Sequence, residues 1–345
     1  MTFFPITRNH SIAPILIVSS LLVAGLQTYI GSADNFGALW CNVGASALLS
    51  ACLWDMVSRY HFTGTHSNYA FMLGMVLLPA ATNIPLLNFG EKISPALDGG
   101  PQGLLPSWMV LVAMVALVLQ FFLAFAAWQR HMAVVLFTCS GILLGGLSML
   151  HSHFLYWIFL YPILFYHSRC FSWRNFWSAL TGVLFGIWIV YIVAFLCQRE
   201  VADALVLRIP TTLFQFENVD LNSYGGWPLF YLACFTIPTL LLSLTGFLPT
   251  VGESIRTHDG MALVGSVGIL MLILALFDGA WLPVYMGVLS LILTLQMAIR
   301  LSTLQSIANE WWSLLYLILM LLLGFLPLIV APLRGLWAVM MNWLS

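Results

Sequence analysis

The chain has 345 residues, 61% of them apolar and only 7% charged, with 11 Lys and Arg against 12 Asp and Glu and a formal net charge of -1. A soluble globule carries roughly a quarter of its residues as Asp, Glu, Lys and Arg to cover its surface, so this composition excludes a water-soluble domain of ordinary design. The balanced charge, with no Lys/Arg cluster, excludes a nucleic-acid partner.

Charge-free stretches repeatedly approach the roughly 20 residues that one helix needs to cross a hydrocarbon core. They predict an all-α fold, a polytopic transmembrane helical bundle of about eleven spans, with residues 1–345 forming a single integral membrane domain in the inner (cytoplasmic) membrane. Taken in chain order the spans are 11–31, 36–56, 68–88, 105–128, 132–150, 152–168, 175–197, 227–248, 261–277, 280–298 and 312–333. Arg8 precedes the first run as the positive region of a signal peptide would, but another span follows almost at once, so the first helix is read as retained. The sixth span is short and is separated from the fifth only by the turn around His151 to His153, which leaves open a tight hairpin that does not cross fully.

Lys and Arg in short loops set orientation. A cytoplasmic N-terminus places Arg8, Arg59, Arg130, Arg169, Arg174, Arg256 and Arg300 inside, against Lys92, Arg199, Arg208 and Arg334 outside. Two outer connections are long enough to carry function. Loop 89–105 is broken by Pro95, Gly99, Gly100, Pro101 and Gly103, which argues against a regular helix. Loop 198–226 opens with a mixed polar and apolar stretch that predicts a surface-lying amphipathic helix ending near Pro210. Within the spans, Gly141 with Gly145 and Gly182 with Gly186 have the GxxxG spacing of closely packed membrane helices.

Candidate chemistry is sparse. Asp34, in the first outer loop, is either a solvated loop residue or a general base for an acceptor hydroxyl, with the further option of holding a divalent cation on a phosphorylated lipid. Asn83 lies between Pro79 and Pro85, where a kinked helix has backbone groups to satisfy and a substrate could make contact. His151 and His153 point to different faces in a helix but come together in a turn, where they would cap or pack at headgroup level or bind a lipid pyrophosphate or a metal. Arg199 and Arg208 are the outer arginines that precede the C-terminal tail and would bind the same group. Asp55 and Asp278 fall at span ends, so no acidic residue marks the bilayer centre as a coupled transporter would. The six cysteines form no CxxC pair and read as buried or lipid-facing thiols, and no zinc, dinucleotide or nucleophile-elbow motif is present. No resident metal or cofactor is expected.

Residues 151–196 combine a short span, a small basic inner loop and the aromatic run of Phe171, Trp173 and Arg174, followed by Gly182. In these features the chain resembles a family of uncharacterised polytopic inner-membrane proteins of Bacteroidetes. The resemblance implies a multi-pass architecture and brings no chemistry with it. A looser likeness, resting on Asp34 in the first outer loop and on the mid-chain hairpin, is to membrane glycosyltransferases and polysaccharide polymerases that use polyprenyl-phosphate carriers. Three functions follow as expectations: an accessory or structural component of envelope assembly or transport; a lipid-linked glycosyltransferase or polymerase acting at the outer face, with a divalent cation; and a small-molecule or lipid transporter. The expected partners are membrane lipids, together with a polyprenyl-phosphate-linked glycan or another membrane protein.

Overall fold

The computed structural model describes residues 36–59, part of 71–78, 107–128, 130, 133–213, 226–247, 255–278 and 281–303. Every regular element among them is helical. They are α1 (Phe36–Arg59), α2 (Ser107–Ala126), α3 (Val134–Leu150), a 3-10 segment (Ser152–Phe159), α4 (Leu160–His167), α5 (Trp173–Cys197), α6 (Arg199–Leu213), α7 (Gly226–Gly246), α8 (Ile255–Phe277) and α9 (Leu282–Thr303). Three stretches, Met109–Ala126, Trp173–Cys197 and Thr257–Phe277, are long and apolar enough to cross a membrane, and Val134–Leu150, Phe235–Gly246 and Val284–Arg300 are shorter apolar helices. The protein is therefore helical and built for a membrane, where a helix satisfies its own backbone polar groups without water. The helices lie where the sequence predicts spans from 36–56 and from 105–128 to 280–298; the expected spans 11–31 and 312–333 and most of 68–88 lie outside the described residues.

The chain divides into two compact units, one of Met1–Met114, Asp220–Gly268 and Ala280–Ser345, the other of Val115–Val219 and Ile269–Gly279. In the first, α9 is the interior helix: its described residues from Val284 to Ile299 are all buried, which leaves it no lipid-facing stripe. Gln296 of α9 donates from Nε2 to Ser243 Oγ on α7 at 2.9 Å, and one turn later Arg300 donates to the Thr245 carbonyl at 3.3 Å. Both pairs advance together along the chain, so α7 and α9 run parallel. Between them in sequence, α8 runs the other way, since a Cβ at Gly246 would lie 3.4 Å from the Met261 carbonyl oxygen and one at Gly268 would lie 3.3 Å from Thr239 Cγ2.

The second unit is organised by α3 and α5. Each turns its GxxxG pair toward the other. A Cβ added at Gly141 would lie 2.9 Å from Gly182 Cα, and one at Gly186 would lie 2.9 Å from the Gly146 nitrogen. The register rises on both helices, so α3 and α5 are parallel and in backbone-to-backbone contact, which only residues without a side chain permit.

Two parallel helices require the chain between them to return. The Phe137 and Phe165 rings are 4.5 Å apart, Ser140 Oγ donates to Tyr161 Oη at 3.3 Å, and the Cys170 thiol donates to the Ala127 carbonyl at 2.6 Å. Residues 152–167 thus run back along α3 to its beginning. The 17 residues of α3 rise about 25 Å at 1.5 Å each. Eight 3-10 residues and eight α residues rise about 28 Å, because the 3-10 rise is about 2.0 Å. The hairpin that the sequence left open therefore retraces the whole of α3. Pro162 supplies a local reason for the change of helix type: it has no N–H for the Ile158 carbonyl, and its ring clashes with that carbonyl in a continuous α-helix but is tolerated in a first turn.

The return ends in a Schellman turn. Arg169 takes a left-handed φ of 54°, and the Cys170 N–H bonds the Phe165 carbonyl at 3.1 Å while the Arg169 N–H bonds Tyr166 at 3.2 Å. Ser172 then caps α5, its Oγ accepting from the Asn175 N–H at 3.2 Å. At the far end of α5 the chain turns into α6, which packs against α5, α3 and the 3-10 segment. The expected stop near Pro210 is passed, since α6 continues to Leu213 with Pro210 inside it. That proline removes one hydrogen bond in the last turn, too near the end to break the helix.

Candidate functional site

The end of the second unit where α3 stops and α5 gives way to α6 holds a buried ionisable cluster. Leu150 is the last residue of α3; His151 is extended, with φ -152° and ψ 125°, and the chain tightens at once into the 3-10 segment. This reversal leaves His151, Ser152 and His153 all buried. The two imidazoles, which a continuous helix would send to different faces, have ring centroids 5.0 Å apart. Tyr156 meets His153 edge-on at 5.7 Å.

The partner of His153 comes from 125 residues away in sequence: its Nδ1 contacts Oδ2 of Asp278. Asp278 directly follows the last residue of α8, and its N–H bonds the Leu274 carbonyl at 3.0 Å. Its position is electrostatically poor. The carboxylate is 1% exposed and sits beside the last-turn carbonyls, the negative end of the helix dipole. A buried carboxylate needs a pairing cation or a hydrogen-bond donor, and His153 is placed to be either.

Away from this cluster, Gln120 and Ser140 satisfy each other across one helix contact. Gln120 donates from Nε2 to the Ser140 carbonyl at 3.1 Å and its Oε1 accepts from Ser140 Oγ, which ties α2 to α3 and through Tyr161 to α4. Among the described residues Cys170 is a buried free thiol, whereas Cys52, Cys139 and Cys197 are free and exposed.

The sequence-derived candidates separate. His151 and His153 are brought together. Arg199 is not brought to them; its side chain is 78% exposed and faces Asp203 one turn on, at 3.8 Å, while Asp203 accepts from Tyr191 Oη at 3.2 Å. Arg208 lies further along the same helix, α6. Asp34 and Asn83 lie outside the described residues. Asp55 is paired with Arg59 on α1 at 2.7 Å. Asp278, by its sequence, is only a residue at a span end. One signal pointed to it: counting spans puts the His151 turn and the Asp278 turn on the same side. Among the described residues no three His, Cys, Asp or Glu side chains are grouped to hold a metal ion. The cluster can hold a proton between an imidazole and a carboxylate, and the carboxylate can fix the orientation of the imidazole. No protein-family model, no curated protein and no solved structure matches this chain.

Proposed function

We propose that the protein is an eleven-span component of the inner (cytoplasmic) membrane, with its N-terminus in the cytoplasm. It acts without catalysis, as an accessory or structural part of envelope assembly or transport. The observation that carries this reading is the face of α5. One side of the helix is fastened to α3 by glycine contacts; the rest exposes Trp173, Trp177, Phe185 and Trp188, and only 17% of its apolar window is buried. A rigid helix with an aromatic outward face suits lateral contact with lipid and with a second membrane protein, since aromatic side chains supply large contact area at small conformational cost. The polyprenyl-phosphate reading needs Asp34, Arg199, Arg208 and the histidines to converge, whereas Arg199 faces Asp203 and His153 faces Asp278.

The test is site-specific photocrosslinking in native membranes, with the probe at Trp177, at Trp188 or, as a control, at the buried Ala179. The expected result is one protein adduct of constant mass from the two tryptophan positions and none from Ala179. Adducts with lipid alone at both tryptophans would overturn the accessory reading.

A further inference from the structure

We propose that Arg130 and Arg174 together bind the headgroup phosphate of an anionic phospholipid, at the end of the second unit where α2 finishes and α5 begins. This goes beyond the accessory reading and does not depend on it. Backbone contacts bring the two arginines to one place. The Ala127 carbonyl accepts from the Arg130 N–H at 2.9 Å and from the Cys170 thiol at 2.6 Å. The Cys170 carbonyl in turn accepts from Nδ2 of Asn175 at 2.7 Å, and Arg174 is the residue before Asn175. The turn after α2, the turn after α4 and the first turn of α5 are therefore stitched into one surface, on which Arg130 and Arg174 are both exposed.

Two spans fix the level of that surface. Met109–Ala126 ends just before Arg130, and Trp173–Cys197 begins one residue before Arg174; both stretches are long and apolar enough to cross a membrane. One leaves the hydrocarbon here and the other enters it. A guanidinium is costly in hydrocarbon and reaches for the headgroups on its flexible stem. Trp173 and Tyr166 are exposed beside the arginines, as ring systems that anchor at headgroup level are.

The sign of the charge selects the lipid. No Asp or Glu occurs in the sequence between Asp98 and Glu200. The described carboxylates of this unit are Glu200, Asp203 and Asp278, and they lie toward its other end: Asp203 accepts from Tyr191, about 26 Å along α5 from Arg174, and Asp278 contacts His153 beyond the end of α3. Such separations exceed the Debye length of about 8 Å at physiological salt, so these carboxylates do little to neutralise either arginine. A phosphate can accept two parallel N–H bonds from one guanidinium. In phosphatidylcholine an ammonium accompanies that phosphate and is repelled by the pair; in phosphatidylglycerol the phosphate stands without one.

Native mass spectrometry of the full chain in neutral detergent, titrated with phosphatidylglycerol or with phosphatidylcholine, reads the preference as bound lipid per chain. An arginine near an anionic surface is worth roughly fivefold in binding, so the pair should favour the first phosphatidylglycerol by about 30-fold. Arg130→Gln with Arg174→Gln should abolish that preference, and each single substitution should reduce it about fivefold. Arg59→Gln, which removes an exposed arginine paired with Asp55 on α1, should leave it unchanged. Equal binding of the two lipids by the wild type would overturn the proposal, as would a double variant that keeps the wild-type preference or an Arg59→Gln variant that loses as much of it. If the double variant does not fold, the single variants decide: a reduced preference in both supports the shared site, and an unchanged preference in either overturns it.

Discussion

Gly145 and Gly146 are adjacent on α3, so replacing each with alanine changes helix propensity equally and separates backbone contact from everything else. A Cβ at Gly145 would meet the Val183 carbonyl, with its carbon 2.9 Å and its Cα 3.0 Å away, and all of these are backbone atoms that no rotamer can move. A Cβ at Gly146 would have Val190 Cγ2 at 3.8 Å as its nearest neighbour, an ordinary van der Waals contact. For Gly145→Ala to be accommodated, α3 and α5 must separate, which also opens the contacts at Gly141, Gly182 and Gly186. Close Cα–H to carbonyl contacts contribute about 0.5–1 kcal/mol each, so loosening the set costs roughly 2–4 kcal/mol. Alanine returns about 1 kcal/mol of propensity, leaving Gly145→Ala destabilising by roughly 1–3 kcal/mol, in the range usual for overpacking. Gly146→Ala keeps the propensity gain and is expected to be neutral or stabilising by up to about 1 kcal/mol. Steric trapping or denaturant unfolding of both variants in bicelles measures the difference. Equal effects of the same sign would refute the parallel, glycine-faced crossing of α3 and α5.

Two further outcomes bear on how the returning hairpin is closed. Ser172→Ala removes the only side-chain cap seen on α5 and should cost about 1 kcal/mol, while Ser172→Asp should recover most of it, read from the same unfolding curves. Arg169→Gly places at the left-handed position the residue that holds it without Cβ strain, and it should raise the unfolding midpoint by the equivalent of about 1 kcal/mol. A lowered midpoint would mean that the contacts of the Arg169 side chain outweigh the backbone strain.

The extents of the helices were legible because apolar runs end where charges, glycines and prolines begin, as at Arg59 and at Arg169. The GxxxG spacings were legible as well, but only as two separate motifs; that they face each other depends on the register between α3 and α5, which spacing within one helix does not encode. The length of the sixth span was misleading for a different reason. Counting residues assumes an α rise, and residues 152–159 use the longer 3-10 rise, for which Pro162 was the available sign. Of the residues in the buried cluster, the two histidines share a turn that is visible in the sequence, whereas Asp278 ends a span and lies 125 positions from His153.

The position of Asp278 exposes a weakness in reading membrane sequences by depth alone. A carboxylate at mid-bilayer is conspicuous because hydrocarbon makes it costly. At a helix end the same group passes for a solvated loop residue unless packing buries it. Here the 3-10 segment starts immediately after α3 and α6 packs across it, so the unit end is covered by protein and not by water alone. Asp278 and His153 consequently meet under burial that neither local sequence announces. The C-terminus of α8 adds to the disadvantage of the lone carboxylate, which makes removal of one partner more severe than removal of both. Breaking a buried ion pair by deleting one side typically costs about 3–5 kcal/mol, while replacing both sides with packed apolar groups is often neutral. That asymmetry ties the ending of α8 to the reversal after α3.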